Sequence, residues 1–293
     1  VGAMIAWPED LVEDLARRRS VIFLGAGVSK NSTNEAGERP ADWKEFLTEL
    51  AQGIGDGDAR EAAEKCIASG DLLTACEIAY KALRPENFRT SLLRSFSQKR
   101  FRPARVHEEL VRIDSRIVMT TNFDKIYDSV AATMLHGDVL VKTYSDEDVA
   151  DVVRRKNRCI IKIHGSVDVA AGAILTRSDY ARVRTKHAGF YRVVDALFAT
   201  HTFLFLGASM NDPDIRLILE DHANRYEYSR PHYVVMPDGQ LRVSELSVLE
   251  ESMNVRAIPY DPSDNHIELS DGIASLRQLV ESKREQLVQG MDW

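Results

Sequence analysis

Four short clusters hold the residue types that chemistry on a bound ligand requires. They are Gly25-Ala26-Gly27-Val28-Ser29, Thr120-Thr121-Asn122-Phe123-Asp124, His164-Gly165-Ser166 and Gly207-Ala208-Ser209. The first follows the apolar run Val21-Ile22-Phe23-Leu24, the place where a dinucleotide-binding fold seats a pyrophosphate. Glycine there lets backbone amides come close, and Ser29 adds a hydroxyl donor. Lys30 stands where the third glycine of G-x-G-x-x-G would be, and no acidic residue caps an immediately following second strand, so an ordinary dehydrogenase fits poorly. Taken singly, each cluster also has a purely structural use. A G-x-G turns a chain tightly, a TTN cluster caps a helix with Asp124 in its first turn, and a histidine after a strand packs. Their shared position is what points to a ligand. Each lies just past the carboxyl end of an apolar run: Val21–Leu24, Arg116–Met119, Cys159–Ile163 and Thr202–Leu206. Open α/β sheets bind ligands along that rim.

The elements that must position these clusters follow from periodicity. Short continuous apolar runs read as strands covered on both faces, the habit of parallel sheets, and two more occur at His232–Met236 and Val255–Ile258. Between them lie helical patterns. Trp43, Phe46, Leu47, Leu50, Ala51 and Ile54 make one apolar stripe, with Lys44, Glu45 and Glu49 off it. Asn211-Asp212-Pro213 opens another, with Asp212 as cap and proline in the first turn. Alternating strands and helices predict an α/β protein with a doubly wound, Rossmann-like parallel sheet. From about Gly57 to Ile113 no strand is evident, and Leu72, Leu73, Cys76, Ala79, Tyr80 and Leu83 keep a helical rhythm. This predicts an all-helical module at about 57–113, inserted in a core at about 4–56 and 114–293, within a single domain over 4–293. The basic run at Lys99, Arg100, Arg102 and Arg105 reads as a solvated face, and Ile273–Val288 as a surface or partner-facing helix.

Composition narrows the function classes. The chain has 293 residues, with 38 Lys and Arg against 45 Asp and Glu, a formal net charge of −7. An acidic balance argues against a general nucleic-acid binder, and no sequence-specific nucleic-acid contact is expected. No apolar run approaches the ~18 residues of a membrane span, and the N-terminal residues lack a signal-peptide pattern. The cysteines, Cys66, Cys76 and Cys159, are three in number and form no C-x-x-C pair. That excludes a zinc ribbon, disfavours a disulfide framework, and predicts a cytoplasmic, reduced, metal-free protein.

The order GAGVS at 25–29, TTNFD at 120–124, KIHGS at 162–166 and GAS at 207–209 resembles the sirtuin superfamily over roughly Val21–Asp212. More narrowly, TTNFD together with GASMNDPDI at 207–215 is similar to the bacterial sirtuin-like proteins of anti-phage defence, which hydrolyse NAD. The departures concern the acyl-lysine end of the deacylase pattern. Its two C-x-x-C pairs are missing, its G-x-P-D-F-R loop is only echoed by Arg39-Pro40-Ala41-Asp42-Trp43-Lys44, and Thr121 replaces the glutamine of T-Q-N-I-D. The asparagine that holds the adenosine ribose after a late strand has no match after His232–Met236.

The resemblance implies an NAD+ nucleosidase with NAD as its substrate and no metal. In it, Asn122 orients the ribose hydroxyl and the attacking water, His164 is the general base, and Asp124 takes the nicotinamide carboxamide. Gly25, Ala26, Gly27, Ser29, Gly207 and Ser209 cradle phosphates and ribose, and Asp42, Trp43, Thr121, Phe123, Gly165 and Asn211 complete the site. The resemblance also implies homo-oligomers and a separately encoded HerA-like ATPase/helicase, or alternatively a short Argonaute. The alternative activities are an NAD-dependent deacylase or ADP-ribosyltransferase, and a non-catalytic NAD- or ADP-ribose-binding or scaffold subunit.

Overall fold

The computed structural model describes residues 5–290, so the two ends of the 4–293 span lie outside the described residues. The six apolar runs become strands: β1 (Ser20–Leu24), β2 (Ile117–Thr120), then β4 (Cys159–Lys162), β5 (Thr202–Leu206), β6 (His232–Pro237) and β7 (Val255–Tyr260). A further strand, β3 (Leu140–Thr143), precedes β4 and escapes the hydrophobic signal because it is a half-exposed edge. All pairings are parallel, and the sheet runs β3-β4-β2-β1-β5-β6-β7. This is the doubly wound arrangement expected.

Helices cover both faces. In chain order they begin with α1 (Glu9–Ala16), the single turn α2 (Ala26–Ser29), α3 (Trp43–Gln52), α4 (Gly57–Ser69), α5 (Leu72–Ala82) and α6 (Pro85–Leu93). Next come α7 (Arg105–Arg112), α8 (Ile126–Met134), α9 (Val149–Arg154), α10 (Arg177–Lys186) and α11 (Ala188–Thr200). The last are α12 (Pro213–Arg225), α13 (Val243–Met253) and α14 (Ser263–Gln289). Alternation along β1 shows why the runs had to be continuously apolar. Ile22 and Leu24 face a layer built by α1, α7, α8 and α14, whereas Val21 and Phe23 face α9 to α13.

A third apolar cluster is the helical module. It joins Phe46, Leu47 and Leu50 of α3 to Ala63 of α4, Cys76 of α5 and Phe88 of α6. Packing therefore places its boundaries elsewhere than periodicity did. Helix α3 belongs to the module, whereas α7 lays Val106, Leu110 and Val111 on the sheet layer. The stretch read as a surface or partner-facing helix is corrected too. Ile273, Leu276 and Val280 of α14 are fully buried against that same layer. Three cations of the basic run are paired at the surface, Lys99 with Glu38, Arg102 with Glu35 and Arg105 with Asp271, as a solvated face should be.

Behind β5 and β6, His222 and His232 are buried with ring centroids 5.5 Å apart. His232 Nδ1 accepts from the Phe203 amide at 3.1 Å. Burial pushes His232 down to about 3, with His222 beside it adding to the shift, and burial lowers His222 as well. The unfolded chain protonates both near pH ~6.5, where the folded chain holds them neutral, so the unfolded state binds more protons below that pH. Stability is therefore expected to be full above pH ~6.5 and to decline as the pH falls from there toward 3. Thermal unfolding across that range checks this. His232→Asn, which keeps an acceptor for the Phe203 amide, should flatten the decline, and an unchanged slope would refute the assignment.

Candidate active site

Register brings the four clusters level. Leu24 is paired with Thr120 on one side and Leu206 on the other, and Thr120 with Lys162. The residues that follow must then emerge together at one rim: Gly25 from β1, Thr121 and Asn122 from β2, His164 from β4 and Gly207 from β5. The order of β2, β1 and β5 makes this the point where the chain switches from one half of the sheet to the other, where such sheets open a crevice. A cavity of about 1040 Å³ opens there, at the top of the ~300–1,000 Å³ span of ligand pockets.

The glycines make the crevice possible. The Gly25 amide bonds to Leu206 O and the Gly27 amide to Gly207 O, both at 2.9 Å. A Cβ on Gly25 would sit 2.4 Å from Gly207 O, and Gly207 itself has φ +60° with its own Cβ position 2.4 Å from the Val28 amide. Two backbones touch here, and the amides of Gly25 and Gly27 are taken up by Leu206 and Gly207.

Asn122 is held on three sides. Its amide nitrogen donates to Gly25 O at 3.0 Å and to Ser29 Oγ at 3.1 Å, and its backbone N–H to Thr120 Oγ1 at 3.0 Å. A carbonyl can only accept, so Gly25 O fixes which way the amide points. Both N–H groups are engaged, and Oδ1 is left to accept from a ligand. The Ser29 hydroxyl donates to Asp124 Oδ2 at 2.8 Å, while Asp124 Oδ1 accepts from the Ile126 amide at 3.0 Å. Both oxygens of the buried Asp124 thus already have donors. Beneath them Lys162, 1% exposed, donates to Asp124 O at 2.6 Å and to Asp128 Oδ2 at 3.1 Å, which pins the loop after β2.

Asp42 caps α3 in a capping box with Glu45 and pairs with Lys30 Nζ at 2.7 Å. Burial alone would raise its carboxyl, but Lys30 and the Glu45 amide hold it below the usual aspartate range. Trp43 stacks on Phe46 and lies 6.1 Å from Phe123, whose ring joins the helical module to the rim. Every residue assigned to the site from the resemblance lines the cavity except Gly165, which turns the chain after His164 at φ +85° with its Cβ position 2.9 Å from Gly172 O.

Periodicity missed several neighbours. Asp212 was read only as the cap of α12, and Tyr180 gave no signal, because its place depends on how α10 folds back. Asp212 Oδ1 does accept from the Asp214 and Ile215 amides, at 3.1 and 3.0 Å. Its other oxygen, Oδ2, lies 3.1 Å from His164 Nε2 and accepts from the Tyr180 hydroxyl at 2.8 Å. Burial alone would raise the Asp212 carboxyl, yet His164, the Ile215 amide and Tyr180 together hold it below the usual range. Burial first and Asp212 second push the Tyr180 phenol well above its ordinary value, so it keeps its proton. At the opposite end Pro237, Gln240, Tyr260 and His266 close the cavity, with Arg39 reaching from Lys30 O at 2.8 Å to Asn265 Oδ1 at 2.6 Å. Among the described residues no cluster of His, Cys, Asp or Glu could hold a metal ion.

The family described as "SIR2-like domain" matches residues 116–258, which run from the start of β2 into β7 and carry Asn122, His164 and Gly207. The chain is similar to that family over this stretch, a little under half of its length. Its similarity to characterised proteins extends further than that match. It is 24% identical over 241 residues to the NAD(+) hydrolase ThsA of Bacillus cereus (strain MSX-D12), covering 81% of this chain and 47% of that protein. It is 26% identical over 229 residues to the NAD(+) hydrolase ThsA of Enterococcus faecium, covering 76% of this chain and 44% of that protein. Defense-associated sirtuin 2 of Bacillus subtilis is 24% identical over 219 residues, 72% of this chain and 20% of its own length. The chain thus spans less than half the length of these relatives. No helix among the described residues is long and apolar enough to cross a membrane.

Proposed function

We propose that this SIR2-like domain is an NAD+ glycohydrolase, cleaving NAD to nicotinamide and ADP-ribose. The observation that carries the reading is the meeting of Asn122 and His164 on one cavity large enough for a dinucleotide, beside the glycine-lined junction of β1 and β5. The similarity to the ThsA proteins, which are NAD(+) hydrolases, supports it.

The bond from ribose C1′ to the pyridinium nitrogen breaks with its electron pair leaving on nicotinamide, which departs neutral. The transition state is oxocarbenium-like, as in glycoside hydrolysis. Asn122 Oδ1 accepts from a ribose hydroxyl or from the attacking water and so aligns it. Water adds to C1′ as His164 takes its proton. Ser29 and Asp124 act mainly through Asn122, since their own hydrogen bonds run into the loop. Phe96, Phe123, Ile174 and Leu175 supply an apolar wall that limits stray water.

The biological role we assign is depletion of NAD in anti-phage defence, in line with the similarity to defense-associated sirtuin 2. An unrestrained enzyme of this kind would exhaust the NAD of its own cell. We therefore assign its control to assembly, among copies of itself and with a separately encoded HerA-like ATPase. The test is to incubate purified protein, alone and with that partner, with NAD and to follow nicotinamide and ADP-ribose by chromatography. Equimolar release is expected. Binding of NAD without turnover in both states would make the domain a sensor or scaffold, and turnover only with an acylated peptide would make it a deacylase.

A further inference from the structure

His164, Asp212 and Tyr180 form a closed set of three groups, from β4, from the cap of α12 and from α10. The carboxylate can only accept, and it receives the phenol's single proton. Nε2 lies 3.1 Å from Asp212 Oδ2 and 3.3 Å from the Tyr180 oxygen, so the one proton arrangement that leaves neither contact repulsive puts hydrogen on Nε2. No described residue hydrogen-bonds Nδ1. The neutral ring then has its basic lone pair on Nδ1, and His164 is among the residues that line the cavity.

We infer that Asp212 is a positioning residue for the cleavage reaction, holding His164 as the Nε2–H tautomer so that Nδ1 is the atom that receives the proton. This rests on the glycohydrolase reading and deepens it. In the step, a water O–H bond breaks, its oxygen bonds to C1′ as the C1′–pyridinium bond opens, and the proton ends on Nδ1. The resulting imidazolium is stabilised through Nε2–H by the Asp212 carboxylate. Tyr180 holds that carboxylate in line and is not itself a proton donor to the reaction.

The cap geometry supplies an unusually selective variant. In Asp212→Asn the side-chain carbonyl must still accept from the Asp214 and Ile215 amides, and asparagine caps helices as well as aspartate does. The NH₂ then necessarily replaces Oδ2 and points at His164 Nε2. That nitrogen becomes an acceptor, the ring proton moves to Nδ1, and the base is disabled while the fold and cavity are kept. A carboxylate removed from behind a catalytic histidine acts in the same way in serine proteases.

The experiment reads the His164 tautomer by ¹⁵N NMR in mildly alkaline buffer, alongside NAD cleavage. The wild type is expected to show Nε2–H and Asp212→Asn to show Nδ1–H. The variant should lose ~10²-fold or more in kcat with KM changed less than threefold, and Tyr180→Phe should keep the wild-type tautomer with a loss under ~10-fold. A wild-type ring protonated on Nδ1, or a variant with an unchanged tautomer, overturns the inference whatever the activity. Absence of NAD cleavage in the wild type with the expected tautomer switch in the variant would sink the glycohydrolase reading and leave the placement of the proton standing.

Discussion

Replacing His164 with alanine is expected to lower NAD cleavage by ~10³-fold, the scale on which an enzyme loses a well-placed proton acceptor. The effect should fall on kcat, because His164 is one of many residues lining a cavity that offers a dinucleotide other contacts. Asn122→Ala should lose ~10²-fold in kcat/KM and, unlike the histidine variant, should raise KM. Its amide nitrogen holds Gly25 O and Ser29 Oγ, so alanine there loosens the junction that shapes the nucleotide cradle as well as removing Oδ1. Steady-state kinetics with nicotinamide release as the signal separates the two. Cleavage at near wild-type rate in both variants would remove these residues from the chemistry and return the site to a binding role.

Gly207→Ala carries the largest expected effect on stability. The added methyl would stand 2.4 Å from the Val28 amide nitrogen and 2.7 Å from the Gly27 carbonyl carbon, atoms of backbone that cannot swing aside. The left-handed conformation at φ +60° adds a further cost of ~1 kcal/mol to the overpacking cost of ~1–3 kcal/mol. A loss of about 2–4 kcal/mol is expected, which lowers the melting temperature by on the order of 10 °C for a domain of this size. NAD binding should fail at temperatures where the variant is still folded, because β1 and β5 must part to admit the methyl. Gly37→Ala is the control. It has φ +77° but open space around its Cβ position, so it should cost only the conformational term of ~1 kcal/mol. Calorimetry on the two variants decides: equal losses would show that backbone contact at the β1–β5 junction contributes nothing.

The strands that carry the site were readable because each is buried on both faces and must therefore be apolar throughout, from Val21–Leu24 to Thr202–Leu206. Edge strand β3 was not readable, since it is half-exposed, Leu140 and Val141 included, and so need not be continuously apolar. The helical module was visible as an absence of strands, but its limits were not. Helices α3 and α7 are both amphipathic, and an apolar stripe does not say whether it will be buried by the module or by the sheet. For the same reason the stripe of α14 passed as a partner-facing surface, although the chain's own α1 and α7 cover it.

Local sequence by itself determined which chemistry is possible: a small-residue turn after a strand, an amide, an imidazole and a helix-capping carboxylate, all ordered along one chain. These follow from residue type and near-neighbour spacing, which act within a few bonds. Only the tertiary structure decided what each group has left to offer. Asn122 keeps one free acceptor because Gly25, from a different strand, takes its amide, and Asp212 turns from a cap into a partner of His164 because α10 brings Tyr180 alongside both. Hydrogen-bond capacity is small and fixed for each side chain, so the neighbours that use it up, far away in sequence, set the role that remains.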